Sequence, residues 1–165
     1  MLRFQPISSL EFPEYIEGVI NGYAQQIKTY SGEWDDFNAG DYSTITINEQ
    51  LPAGINTRCH YFNFIYFNDI KVGELWYQIT DQQIGVICQL VIYVQYQMKG
   101  YGSQTLIKLE EIFNKQKVHK IILGVFEQNK IAVSLYIKHG YIVEKLRVLK
   151  PGGRPTKYLM SKILI

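Results

Sequence analysis

Two cysteines, five prolines and no apolar run approaching 18 residues set the first limits on this 165-residue chain. A pair of thiols, Cys59 and Cys88, with no secretory leader before them, reads as free cysteines in a reducing compartment. The absence of a long apolar stretch leaves no candidate membrane span, and Met1 to Pro6 lacks the apolar core of an export signal, so the expected location is the cytoplasm. Charge of one sign is scarce as well. The formal net charge is +2, and the nearest thing to a basic patch is Lys145, Arg147, Lys150, Arg154 and Lys157 near the C-terminus. A dedicated nucleic-acid binder would carry a basic stripe, so neither nucleic acid nor membrane is an expected partner. His60, His119 and His139 share no metal-ligand spacing, and no metal is expected.

Apolar and aromatic residues are what the chain does have. At 47% apolar with 13 tyrosines and 8 phenylalanines, it is long enough for a single domain over residues 1–165 that buries roughly 70% of its unfolded surface. The patterning alternates between the two regular periods. Leu2 to Ile7 reads as a strand, and Phe12 to Tyr30 as a helix with Ile16, Val19, Ile20, Tyr23 and Ile27 on one face. Ser31 to Asp41 is polar and acidic and reads as a loop, leading into a short second helix before Leu51. Tyr61 to Phe67 and Val72 to Ile79 form a hairpin around Asn68-Asp69, and Ile84 to Val94 is apolar enough to be covered on both faces. A helix from Ser103 to Gln116, a strand from Lys120 to Phe126, a helix after Asn129 and two strands, Tyr141 to Leu149 and Lys157 to Leu164, complete the order.

The most informative segment is Gln97-Met98-Lys99-Gly100-Tyr101-Gly102-Ser103, between an apolar strand and a helix. Glycines let a backbone approach an anion closely, and the first turn of a helix offers unpaired N–H groups with the favourable end of its dipole behind them. This is a place to hold a phosphate. Two commoner nucleotide loops do not fit: Thr105 stands where a dinucleotide fingerprint needs a third glycine, and Gly100 is not followed by the spacing of a P-loop.

Gln97-x-x-Gly100-x-Gly102 resembles the acetyl-CoA pyrophosphate loop of the GNAT superfamily of N-acetyltransferases. A second segment, Asn129-x-x-Ala132-x-x-Leu135-Tyr136 ending at Gly140-Tyr141, is similar to the other signature of that superfamily. It also makes sense by itself, with Asn129 as N-cap, Ala132 and Tyr136 one turn apart on one face, and Gly140 as the stop. Leu51 to Gly54 followed by Gly73-Glu74-Leu75-Trp76 looks like a bacterial subgroup of the family. Gln97 in place of arginine and Val94 in place of proline depart from the family pattern.

The resemblance implies an α/β (α+β) GNAT fold, a mixed central sheet of about seven strands flanked by about four helices. It implies acetyl-CoA as cofactor and direct transfer of the acetyl group to a primary amine of a small molecule or peptide. By the same resemblance Leu90 supplies a backbone N–H to the thioester carbonyl, and Ile92 pairs with the pantetheine arm. Gln97, Met98, Lys99, Gly100, Tyr101, Gly102 and Ser103 hold the pyrophosphate, Asn129 and Ala132 line the cofactor channel, and Tyr136 protonates the departing thiolate.

Glu74, in mid-strand, is the candidate general base. Gln89 and Tyr93 flank the site as candidates to orient the acceptor, and Cys88 invites an acetyl-cysteine route, which is less expected than direct transfer because no histidine adjoins it. For the acceptor itself two readings stand. Glu33, Asp35 and Asp36 beside Trp34 favour a cationic amine, whereas the basic residues of the last hairpin favour an anion. A non-catalytic acyl-CoA sensor is the alternative function, and a homodimer through the terminal strands is compatible with the pattern.

Overall fold

The computed structural model describes residues 1–31, 34, 36–149 and 156–165. Its elements are β1 (Leu2–Pro6), α1 (Phe12–Ser31), α2 (Asp36–Gln50), β2 (His60–Phe67), β3 (Ile70–Ile79), β4 (Ile84–Ile92), α3 (Tyr101–Lys115), β5 (Lys120–Phe126), α4 (Lys130–Lys138), β6 (Ile142–Arg147) and β7 (Lys157–Ile163). This is the expected order. Seven strands form one sheet in the order β1-β2-β3-β4-β5-β7-β6, antiparallel throughout except where β4 meets β5.

One expectation needs correction. Residues 36 to 50 form a four-turn helix rather than a loop followed by a short helix. Its polar composition concealed a narrow buried edge of Ala39, Ser43 and Ile47, and the Ser43 hydroxyl donates to the Ile20 carbonyl of α1 at 2.6 Å. Helix α1 begins with a reciprocal cap: the Ser8 N–H donates to Glu11 Oε2 at 3.0 Å, and the Glu11 N–H to Ser8 Oγ at 3.3 Å.

Helices cover both faces of the sheet. Leu106, Leu109 and Phe113 of α3 and Val133 and Tyr136 of α4 pack with Leu75, Ile87, Ile121 and Leu123 on one face. On the other, Phe12, Tyr15 and Val19 of α1 and Ile47 of α2 pack with Phe62, Phe64 and Trp76. Strand β6 is an edge whose six residues are all exposed. Among the described residues no helix is long and apolar enough to cross a membrane.

Strand β4 is where the sheet becomes irregular. Trp76 of β3 lies opposite Gln89 and Tyr77 opposite Ile87, so Cys88 has no partner and forms a bulge. The parallel pairing with β5 covers only Ile84 to Ile87 against Lys120 to Leu123. Beyond that point the two strands part, and residues Cys88 to Ile92 are only half-buried, short of the two-sided cover expected from their composition.

Strand β3 holds the far half of β4 through a close approach at Gly73. A Cβ at this residue would sit 2.1 Å from the Val91 carbonyl oxygen. Gly73→Ala is therefore expected to push β3 from β4 and lower stability by about 3 kcal/mol, read as a lower urea midpoint with little change in slope.

Candidate active site

The parting of β4 from β5 opens a cleft of about 270 Å³ through the sheet. Its walls include Glu74, Gln89 and Leu90 from one side of the gap, Gly124 and Phe126 from the other, and Asn129, Ala132 and Tyr136 at α4. The Val91 carbonyl faces β3, and the Tyr93 N–H donates to Val72 of β3 at 2.9 Å. Alternation along a strand then turns the backbone groups of Leu90 and Ile92 toward the opening, where β5 no longer pairs.

At the end of β4 the chain makes a short turn over residues 94–96 and enters the glycine loop. Met98 and Gly100 take positive φ values of 59° and 82°, and Gly100 is the N-cap of α3. Among the described residues, none of the backbone N–H groups from Met98 to Ser103 has an acceptor. Six consecutive donors with nothing to bind form a cradle for an anion at the positive end of a 15-residue helix. Gln97 Nε2 turns back to donate to the Ile92 carbonyl at 2.9 Å, fastening the loop to the strand.

Asn129 caps α4 by accepting from the Ala132 N–H at 3.4 Å, which fixes Ala132 and Tyr136 on the cleft side. Tyr136 is 7% exposed and its hydroxyl makes no hydrogen bond to the described residues. Burial pushes its phenol above the ordinary tyrosine range. His139 closes α4 and its Nε2 lies 2.9 Å from Ser103 Oγ, tying this helix to the start of α3.

Glu74 lines the cleft with its Oε1 accepting from the Tyr93 hydroxyl at 2.9 Å. Gln89 accepts from the buried Tyr15 hydroxyl at 2.7 Å, so both strand residues face α1. A second cavity of about 500 Å³ shares Glu74 and Gly18 with the first and carries Glu11, Glu14 and Glu17 of the α1 region. The Cys88 thiol sits in the cleft wall, and burial pushes its pKa up to about 12, which leaves little thiolate for an acetyl-cysteine route. His60 is a hydrogen-bond acceptor for Trp76 Nε1 at 2.8 Å, and no cluster of three metal-ligating side chains exists among the described residues.

Of the residues offered for acceptor charge, Glu33, Asp35, Lys150 and Arg154 lie outside the described residues. Trp34 packs on Tyr42 with ring centroids 5.1 Å apart. Lys145 and Arg147 are exposed, whereas Lys157 lies in the cleft wall. Composition alone grouped Lys157 with the surface basic residues. The signal that separates it is Gly124, a glycine inside an apolar strand, which marks close approach by another group. A Cβ there would fall 2.8 Å from Lys157 Cε.

The comparisons with known proteins agree with this geometry. The Acetyltransferase (GNAT) family model matches residues 26–141. The uncharacterized N-acetyltransferase YdgE of Bacillus subtilis is 28% identical over 144 residues, 85% of this chain and 91% of that protein. The crystal structure of the putative acetyltransferase YycN of Bacillus subtilis superposes with a TM-score of 0.82 at 27% identity, covering 91% of this chain and 98% of that one. The spermidine N-acetyltransferase of Vibrio cholerae, in complex with CoA and spermine, shares the fold at TM-score 0.69 and 17% identity, over 98% of this chain and 95% of that one. This chain belongs to the GNAT acetyltransferase family, and it is an acetyltransferase.

Lys157 carries a measurable consequence. Burial first, and the Arg147 charge second, lower its pKa from the ordinary 10.5 to about 8. Between those values the unfolded chain binds more protons than the native protein, so stability rises with pH there, and the penalty of charging Lys157 is felt in full below about pH 8. Lys157→Met is expected to stabilise the protein at pH 7 by about 2 kcal/mol, less than the full shift because the ammonium keeps some contact with water. Urea unfolding should show this gain at pH 7 and its disappearance toward pH 10.5.

Proposed function

We propose that this protein is an acetyl-CoA-dependent N-acetyltransferase that moves the acetyl group directly to a primary amine of a small molecule or peptide. The observation that carries this reading is the run of acceptorless N–H groups from Met98 to Ser103 beside a sheet that opens at Leu90. The CoA bound by the fold relatives from Thermoplasma acidophilum and Vibrio cholerae supports the same choice of cofactor.

When bound, acetyl-CoA supplies an activated thioester that a neutral amine can attack. The chain's own residues divide the remaining tasks. The backbone N–H groups of Met98 to Ser103 hold the pyrophosphate, with Lys99 adding a positive charge at the loop. The backbone of Leu90 and Ile92 along the open edge of β4 receives the pantetheine arm, with Asn129 and Ala132 across the gap. The Leu90 N–H donates to the thioester carbonyl as negative charge develops on it, an effect worth about 3 kcal/mol for one preorganised donor.

Tyr136 is the general acid. Its raised pKa keeps it protonated at neutral pH, and the dry surroundings that raise it also raise the proton affinity of a departing thiolate. Glu74 is the general base, held by the Tyr93 hydroxyl at the junction of the two cavities, where an incoming ammonium would give up its proton. Direct transfer follows from a Cys88 thiol that stays protonated.

Calorimetric titration with acetyl-CoA tests the cofactor. Saturable binding is expected, weakened about tenfold or more in Lys99→Glu, which removes a charge-assisted contact and adds repulsion at an exposed loop position. In an acceptor assay, Tyr136→Phe is expected to lower kcat about 100-fold with little effect on acetyl-CoA affinity. Turnover that survived the substitution undiminished would remove Tyr136 from the mechanism.

A further inference from the structure

Lys157 is an ammonium with no counter-ion among the described residues. No carboxylate among the described residues lies within ion-pair distance of it. Its contacts are the Tyr23 hydroxyl at 3.4 Å and the faces of Tyr23 and Phe126, with the nitrogen 4.9 and 5.3 Å from their ring centroids. The stem crosses the space that Gly124 leaves by having no side chain. A charged group led across the sheet to the wall of a cavity, then left unpaired there, is complementary to a ligand anion.

Its position distinguishes which anion. Tyr23 belongs to α1, which covers the face opposite the one packed by α3. The glycine loop opens α3, so Lys157 and the anion cradle are approached from different faces of the sheet. The same cleft carries Glu74, whose charge is not spent on Lys157 but accepts from Tyr93. One small cavity thus holds a separated carboxylate and ammonium. That is the complement of a ligand carrying both charges.

We infer that the acceptor is a small dipolar amine, an amino acid or close relative, whose carboxylate is seated on Lys157 while its amine is directed toward Glu74. Tyr23 and Phe126 shield the carboxylate–lysine contact from water, which strengthens it. A cleft of about 270 Å³ accommodates a molecule of this size. Lys157 in this role is a specificity-determining residue. The inference rests on the acetyltransferase reading but makes a separate prediction, since a polycationic acceptor would be repelled by Lys157.

The test is a calorimetric comparison on protein loaded with CoA, using N-acetylated amino acids, the products of the proposed reaction, against their primary amides. N-acetyl derivatives of alanine, serine, methionine and glutamate span side-chain size and charge. At least one acid is expected to bind about tenfold or more tighter than its amide. In Lys157→Met that preference should fall below about twofold with affinity for the amide retained, and Lys157→Arg should restore part of it. CoA affinity measured on each variant reports that the fold is intact. Acids and amides binding alike to the wild type, an absence of binding by either, or an equal loss of both in Lys157→Met would overturn the dipolar acceptor while leaving CoA binding in place. Failure of the wild type to bind CoA at all would overturn the acetyltransferase reading and this inference with it.

Discussion

From Ile84 to Ile87 strand β4 pairs in parallel with Lys120 to Leu123, and from Cys88 onward it pairs with no described strand on that side. Unpaired backbone inside a sheet is costly unless water or a ligand completes it. The bulge at Cys88 and the turn of the chain into the glycine loop make the separation permanent, and β3 holds the free half of β4 in line through Gly73 and the bond from Tyr93 to Val72. The groups argued to react stand on the rim of that opening, and the glycine loop follows beyond the end of β4. Leu90 lies on one lip, Gly124 and Phe126 on the other, and Tyr136 and Glu74 line the space between.

The same opening explains why the two faces of the sheet can have different chemistry. On the α3 side the groups offered to a ligand are backbone donors with the exposed Lys99 ammonium at the loop, which favour a phosphate. On the α1 side the cleft is lined by full charges on Glu74 and Lys157 and by aromatic rings. In the proposed reaction a cofactor held from one face and an acceptor received from the other would meet where the strands part. Alignment of this kind lowers the barrier by up to about 7–11 kcal/mol, because two reactants held in the right orientation no longer have to be brought together.

The family was legible in the sequence because its signatures are backbone requirements. Gly100 must reach a φ of 82°, Asn129 must cap a helix, and Gly140 must end it with a φ of 84°. Those demands fall on residue type at fixed spacing. The second helix was legible only as a short one before Leu51; its start and length were not, since Asp36 to Gln50 is weakly amphipathic and its packing on α1 rests on a hydroxyl bond that periodicity does not record. The side-chain pairs of the cleft were hidden for a related reason. Gln89 finds Tyr15, and Glu74 finds Tyr93, across 74 and 19 residues of sequence, through a register shifted by the bulge. Lys157 is the clearest case: its chemistry depends on an absent side chain at Gly124, on the directly paired strand β5 but distant in the chain.

Lys157 also shows why an unpaired charge persists in a fold that has neutral alternatives. A methionine of similar length would pack on Tyr23 and Phe126 without the cost of desolvation, so stability alone gives no reason to keep an ammonium there. The chain nevertheless leaves out a side chain at Gly124 to make room for it and, among the described residues, places no carboxylate beside it. Glu74 lies in the wall of the same cleft without neutralising it. Pairing the two would collapse the charge separation and stabilise the empty protein, and it would also remove the groups that distinguish one acceptor from another. Held apart, each charge keeps part of its interaction energy for a ligand, which is how a marginally stable site trades stability for selectivity.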